Sequence, residues 1–585
     1  MRFRNWWVGN GHILGLTVGS IKTDEQSCSG EIDMKALRDQ VEQRFSDLTS
    51  SELRLIEAAS SGQPTKFGPV DSSGSDHTVE LEKADQWGTD RTIRAGLIRL
   101  LLFDAELANL VHHNGIDVEG ARIEGKLDFA FLTLRRRLRL CKCFIPDGVD
   151  LYDCDAIRLN FGGSRTASID AHGLVVRGSI VLNDGFSASS LVDFSLARIG
   201  GDLVCSGGRF INPGKKALSV VGAEVGGTVY FGEGFHAEGE VDLSSAQIKG
   251  NVICTGSDFC NPGKKAISAA LAVIRGSAHL GDGFTADGRV WFFGAQIGTD
   301  LLVQEAQFKG ADGWNGLVMP FATAEVFSWA QVQRTNFTGL DLRSATVGLL
   351  ADTLEDWPSP GKLFLDGFVY KRFGDDSPRD AQSRLRWLSL QWNDEIPFTP
   401  QPYRQLAAVF RESGQEGDAI KVLIAKEDAL RTHGGLGRTE RIGKAIMKAT
   451  IGYGYKPLRA LWWIAAFIAL GTALFGLGYQ NGAVTPSERD ASESYSNKKR
   501  MTPLYYPQFN ALIFSVDTFL PVVDLHQAKF WLPNSQTGPT LHGFGLSHGP
   551  SLGALLRWYL WLHIMAGWFF ASMFVAGVTG LVRKD

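Results

Sequence analysis

Apolar residues change their spacing along the chain, and each change marks a different kind of element. From Gly30 to about Asn114 they recur at helical intervals. LTSSELRLIEAA, Leu48 to Ala59, carries Thr49 and Glu52 at T-x-x-E spacing, the pattern in which two side chains satisfy free N–H groups at a helix start. RTIRAGLIRLLLFDAELANLV, Arg91 to Val111, has apolar residues at helical spacing, and the Gly/Ser-rich stretch Gly68 to Asp76 reads as a loop between the two. Residues 1–114 are expected to form a helical cap.

Past Gly115 the helical spacing gives way to alternation over short runs bounded by glycine. GSIVLNDGFSA (from Gly178), GTVYFGEGFHA (from Gly227) and GSAHLGDGFTA (from Gly276) repeat at an offset of 49 residues. ARIGGDLVCSGGRFINPGKKALS (from Ala197), AQIKGNVICTGSDFCNPGKKAIS (from Ala246) and AQIGTDLLVQEAQFKG (from Ala295) keep that offset. Within each unit Ile180 and Leu182, or Val229 and Phe231, alternate with polar positions as in a half-buried strand. Each unit therefore reads as two coils of roughly 24 residues in a parallel β-solenoid, whose strands stack about 4.8 Å apart. The pattern begins at Gly115 and fades, with a pentapeptide-like spacing, in Phe337 to Leu350. About ten coils over residues 115–352 would make a rod of about 45 Å.

Helical spacing returns in the linker region 353–435, where Gln401 to Gln415 and Glu416 to His433 form a hairpin. Residues 436–457 are basic and amphipathic: Arg438, Arg441, Lys444 and Lys448 occupy a different face from Ile442, Ile446 and Ala449, as in a helix lying on a membrane surface. Two long apolar runs then dominate 458–585. LWWIAAFIALGTALFGLGY (Leu461 to Tyr479) and WYLWLHIMAGWFFASMFVAGVTGLV (Trp558 to Val582) are long enough to cross a hydrocarbon core of about 30 Å. The cations before the first run, with Arg583 and Lys584 after the second, place both termini and the solenoid in the cytoplasm by the positive-inside rule. His563, near Trp558 and Trp561, is expected close to the interface and hydrogen-bonded.

Composition agrees with such a divided chain. With 59 Lys+Arg against 63 Asp+Glu, nothing marks a nucleic-acid binder, and 67 Gly against 20 Pro matches the turn content of the repeat. The seven cysteines form no CxxC pair, which speaks against a disulfide framework or zinc site and for a reducing compartment. The histidines lack metal-ligand spacing, so neither metal nor cofactor is expected. Residues 1–20 have no cleavage site of the secretory kind and read as an extension rather than a signal peptide.

Candidate chemistry sits between the two apolar runs. PQFNALIFSVDTFLPVVDL, Pro507 to Leu525, is apolar but interrupted by Asp517 and Pro521, and too short to span, as in a re-entrant or interfacial segment. Within it Phe509, Ala511, Leu512, Phe514, Ser515 and Thr518 fall at F-x-A-L-x-F-S-x-x-T spacing. This run resembles the pore-helix segment of two-transmembrane ion-channel domains, and GWFFASMFVAGVTGLVRKD resembles their inner helix. The resemblance implies a tetrameric cation pore with Ser515, Asp517, Thr518, Pro521 and Asp524 in its loop. It departs from potassium channels, which carry T-V-G-Y-G where this chain has FLPVVDL, so no potassium filter carries over. Asp524 and the backbone at Pro521 to Val523 are the candidate filter, and an amphipathic helix resting on the outer leaflet is the alternative.

LFLDGFVY (Leu363 to Tyr370), QPYRQLAAVFRESGQEGDAIKVLIAKE (Gln401 to Glu427) and YGYKPLRALWW (Tyr453 to Trp463) resemble a bacterial family of membrane-anchored, Gly-rich, pentapeptide-like repeat proteins. Members are often labelled membrane-associated oxidoreductases. The label finds no support in the residues: GNGHILG misses the G-x-G-x-x-G spacing, and GLGYQNG ends an apolar run. Asp184, Glu233 and Asp282 recur at one register, but acid-Gly pairs are ordinary turn chemistry. Lys215, Lys216, Lys264 and Lys265 recur in NPGKKA loops as a basic stripe.

The expected protein has a mixed fold: a parallel β-solenoid with a helical cap, a helical hairpin linker and two transmembrane α-helices flanking a re-entrant or interfacial helix. Its expected function is a channel-like oligomer in a bacterial inner membrane, coupled to a cytoplasmic solenoid. The alternatives are a membrane-tethered scaffold binding a protein partner and, last, a membrane enzyme, for which no catalytic constellation is found. Membrane lipid and copies of the same chain are the expected partners, and nucleic acid is not.

Overall fold

A computed structural model describes residues 26–45, 47–68, 81–309, 315–335, 338–391, 397–497, 502–540 and 550–581. Residues 1–20, most of the Gly68–Asp76 loop, and Arg583 and Lys584 lie outside the described residues. The chain divides into two units, Met1–Leu365 with Val369–Ser377, and Asp366–Phe368 with Pro378–Asp585.

The first unit opens with α1 (Gln26–Glu42), α2 (Ser50–Ser61), α3 (Ala95–Phe103) and α4 (Ala105–Leu110). The T-x-x-E pattern forms its capping box: the Thr49 N–H donates to Glu52 Oε2 at 3.0 Å, and the Glu52 N–H donates to Thr49 Oγ1 at 3.3 Å. The segment from Arg91 is not one helix. Thr92–Arg94 is a strand paired with Arg122–Glu124, because an open solenoid edge offers unpaired backbone groups that a strand satisfies and a helix does not. Asp104 then starts α4 by accepting the N–H groups of Glu106 and Leu107. Thr65–Lys66 pairs with the Ile116–Glu119 strand of the other sheet, so the cap continues both sheets as well as covering them.

Glu52 ties cap to sheet. Its buried carboxylate accepts from Arg94 Nε and Nη2, both at 2.7 Å, and from the Arg94 N–H at 3.2 Å. Burial pushes this carboxyl up, but the Arg94 and Thr49 hydrogen bonds outweigh burial and hold it below the usual carboxylate range. Glu52→Gln is expected to cost about 2 kcal/mol near neutral pH. Because the folded carboxyl is depressed, its contribution is present above about pH 4 and is lost as pH falls through the folded value. The gap between wild type and variant, measured by proteolysis of the cap against pH, should therefore close in acid.

From Ile116 to Phe373 the chain winds through about 11 turns of parallel β-solenoid, and with the two cap strands its two sheets hold 20 and 18 strands among the described residues. The coils continue beyond Leu350, with Leu363–Phe364 and Val369–Phe373 pairing onto the strands before them. Coil length alternates: Ile180 pairs with Leu203 23 residues on, and Leu203 with Val229 26 residues on, and the pair of lengths makes the 49-residue period. The longer coil absorbs INPGKKA into an 11-residue strand, Arg209–Ser219, which shifts register against His236–Asp242. Inside, one aromatic ring per coil stacks on the next: Phe186, Phe210, Phe235, Phe259, Phe284, Phe308 and Trp329, with centroids 5.1 to 6.1 Å apart. The strand rise of about 4.8 Å brings such rings into the preferred range for offset stacking.

Aspartates recur at one outward corner, and each builds a turn. Asp128, Asp150, Asp170, Asp193, Asp242 and Asp341 each accept the N–H of the residue two positions later.

The second unit contains α5 (Ala381–Ser389), the hairpin α6 (Gln401–Glu412) and α7 (Glu416–His433), then α8 (Arg438–Ile451), α9 (Arg459–Gln480), α10 (Arg489–Asn497), α11 (Ala511–Phe519), α12 (Gln527–Phe530) and α13 (Leu552–Val578). α9 and α13, of 22 and 27 residues, are long and apolar enough to cross a membrane. The basic residues of α8 do not all face outward. Lys444 pairs with Glu427 at 2.5 Å and Lys448 with Asp428 at 2.8 Å, clamping α8 to α7, while Ile442 and Ile446 stay exposed. The segment between α9 and α13 folds around aromatic rings: Val484–Pro486 pairs antiparallel with Trp531–Pro533, and Trp531 packs with Tyr479, Tyr495, Tyr506 and Phe509. This aromatic cap went unread in the sequence, where its rings are scattered over 53 positions from Tyr479 to Trp531 with no shared period.

Candidate functional site

α11 is wedged between α9 and α13, and three small or polar residues make the fit. A Cβ on Gly471 of α9 would lie 2.4 Å from Ser515 Oγ and 2.7 Å from His563 Cε1. A Cβ on Gly567 of α13 would lie 1.7 Å from the Phe519 carbonyl oxygen. Both glycines are therefore set by close approach of α11, which a side chain would prevent.

Where the helices meet, Ser515 Oγ donates to the Ile468 carbonyl at 2.9 Å and lies 3.2 Å from His563 Nε2. His563 Nε2 is also 3.1 Å from the Ser515 carbonyl, and Nδ1 is 3.3 Å from the Tyr559 hydroxyl. His563 is fully buried at the junction of all three helices and hydrogen-bonded there, as expected of its ring. An i to i+4 pair with Tyr559 was the signal in the sequence; the partner on α11 lies 48 residues away.

The path of α11 is re-entrant in shape. Ala511, at its start, lies beside Gly476 of α9, and the Phe519 ring, at its end, stacks on Phe467 at 5.9 Å. Nine residues of α9 separate those levels, about 13 Å of helix rise. The chain then turns at Pro521 and returns, because Asn510 N–H donates to Gln527 Oε1 at 3.2 Å, which brings the exit beside the entry. Asp517 holds that return: Oδ1 accepts the Leu525 N–H at 2.6 Å and Oδ2 the Ala528 N–H at 2.7 Å. Thr518 donates into its own helix, to the Phe514 carbonyl. Asp524 accepts the His526 N–H at 3.0 Å, lies 2.9 Å from the His526 ring Nδ1, and is otherwise turned outward, its side chain 80% exposed. Of the five loop residues singled out in the sequence, Ser515, Asp517 and Thr518 hold α11 and its return in place, and Pro521 and Asp524 lie in the exposed turn. Val522 in that turn is 93% exposed.

On the solenoid, the basic stripe is partly neutralised. Lys216 pairs with Asp242 at 2.6 Å, Lys264 donates to the Gly214 carbonyl at 2.8 Å, and Lys265 lies over the Trp291 ring at 5.0 Å; Lys215 is exposed. Asp184, Glu233 and Asp282 occupy left-handed turn positions, each followed by a left-handed glycine. Among the described residues no three His, Cys, Asp or Glu side chains are grouped to hold a metal ion. The six cysteines from Cys141 to Cys260 are free, and burial pushes the Cys143 thiol up to about 12 and Cys141 to about 11, which keeps both protonated. The second unit offers a short helix dipping between two apolar helices and presenting an irregular turn. No protein-family model matches the chain, and neither a curated protein nor a solved structure matches it.

Proposed function

We propose that this is a membrane-anchored solenoid protein whose second unit is the protomer of a cation-conducting oligomer. The observation that carries the reading is the depth of the α11 turn. With α9 spanning a bilayer, residues Leu520 to Leu525 lie near mid-membrane, and irregular backbone at that depth is tolerated only inside protein or against a water-filled cavity. One chain leaves this turn uncovered, so further copies around an axis supply the cover, and α11 points its carboxyl end at their centre. Asp524, repeated around that axis, favours cations. The resemblance to two-transmembrane channel domains supports a tetramer. Arg438, Arg441, Lys456 and Arg459 around the exposed Ile442 and Ile446 suit an anionic inner leaflet, which supports a cytoplasmic side for α6 to α8 and the solenoid in a bacterial cell. No enzymatic step is part of the reading.

Purified protein in liposomes is expected to pass monovalent cations, and Asp524→Ala to lower the flux at least severalfold. A monomeric complex in mild detergent with no flux would overturn the pore. A second reading, a tethered scaffold, is supported by exposed apolar residues repeated at one solenoid corner, Phe131, Leu196, Leu271 and Phe321, each in a left-handed conformation that disfavours large side chains. Capture of a specific partner by a chain that carries no current would favour it.

A further inference from the structure

The 49-residue repeat is broken at one place on the solenoid surface, and the break opens a groove. After each strand of one row, the next residue sits at a corner, and up the stack these corner residues are Arg177, Gly200, Gly226, Lys249, Arg275 and Gly298. Strict repetition would alternate cation and glycine, as Arg177, Gly200, Arg275 and Gly298 do. The middle unit exchanges the two: Gly226 stands where its neighbours have Arg177 and Arg275, and Lys249 where they have Gly200 and Gly298. The exchange sets two glycines side by side and two cations side by side.

The glycine pair leaves a notch, and the backbone keeps it open. A Cβ on Gly200 would lie 2.2 Å from the Arg177 carbonyl oxygen, and one on Gly226 would lie 2.3 Å from that of Gly200. A groove of about 290 Å³ runs over them, walled by Arg198, Glu224 and Gln247 on one side and by Lys249 and Arg275 on the other. Arg198, Glu224 and Gln247 are successive rungs of the sheet. Among the described residues Arg198, Lys249 and Arg275 form no ion pair, and Lys249 and Arg275 rise from adjacent coils about 4.8 Å apart. Two adjacent unpaired cations repel each other, and a dianion bridging them removes that repulsion while taking charge-assisted hydrogen bonds from both. Glu224 and Gln247 add hydrogen-bonding groups of the kind that meet hydroxyls. The volume lies at the small end of ligand sites.

We propose that this groove binds a small phosphorylated polyol, a sugar phosphate or a nucleotide, with its phosphate bridging Lys249 and Arg275 and its hydroxyl-bearing body in the Gly200–Gly226 notch. The site lies wholly on the solenoid and does not depend on the pore reading. The test is calorimetric titration of the full chain in detergent with glucose 6-phosphate and adenosine 5′-monophosphate, beside glucose, adenosine and inorganic phosphate. One phosphorylated compound is expected to bind with a Kd of about 1 mM or tighter, at least tenfold tighter than its neutral parent and than inorganic phosphate. Lys249→Gln with Arg275→Gln should weaken it more than tenfold, Lys249→Gly, which puts there the glycine found at its register partners Gly200 and Gly298, should weaken it, and Lys249→Arg should retain it. Both positions are exposed, so these variants leave the coils intact. Binding by neither compound, binding unaffected by the double variant, or equal binding of inorganic phosphate overturns the proposal.

Discussion

Gly567→Ala is expected to abolish cation flux and to destabilise the second unit by about 3 kcal/mol. The added Cβ would fall 1.7 Å from the Phe519 carbonyl, and no side-chain movement relieves a contact with backbone. Either α11 withdraws from between α9 and α13 or α13 shifts, and both open the junction where Ser515 meets His563 and Ile468. A glycine elsewhere on α13 need not behave alike: Gly553 meets backbone of the aromatic cap instead, 1.8 Å from the Asn534 carbonyl. The measurement is thermal unfolding of the full chain in detergent beside liposome flux. Normal stability and flux in Gly567→Ala would show that α11 is not seated at this level.

Trp531→Ala should unfold the aromatic cap while leaving α9 and α13 helical. The indole has four aromatic neighbours at 5.4 to 5.9 Å, and its N–H donates to the Pro507 carbonyl at 3.0 Å. Losing a buried tryptophan costs about 3–5 kcal/mol, which a module of this size cannot absorb. Because Pro507 leads directly into Phe509 and α11, flux should fall with the cap. Trp531→Phe keeps a ring and loses the hydrogen bond, so it should cost about 1 kcal/mol and keep most of the flux. Protease cleavage confined to the segment between α9 and α13 in Trp531→Ala, with unchanged helical circular dichroism, is the expected pattern; cleavage equal to wild type would remove the cap from the account.

Much of the architecture was legible because it rests on local periodicity. Glycines at a constant offset of 49 residues impose turns, alternation between them imposes strands, and unbroken apolar runs impose the two long helices. The Thr49–Glu52 box was legible for the same reason, since both partners lie within one turn. The unequal coils of 23 and 26 residues were not, because a period reports only their sum. Nor was the strand at Thr92–Arg94, where pairing with Arg122–Glu124 overrides a helical pattern.

The candidate site divides along the same line. Residues 507–525 stood out by composition, and an apolar stretch too short to span and broken by Asp517 and Pro521 had to be re-entrant or interfacial. How it packs against the two long helices depended on contacts between residues far apart in the chain: Ser515 with His563, Phe519 with Phe467 and Gly567, Asn510 with Gln527. A sequence read alone determines the elements, because hydrogen bonding and burial within each repeat or helix are local. The depth of α11, the burial of His563 and the notch made by two glycines one coil apart were decided only by tertiary structure, because each depends on how closely separate stretches of backbone approach.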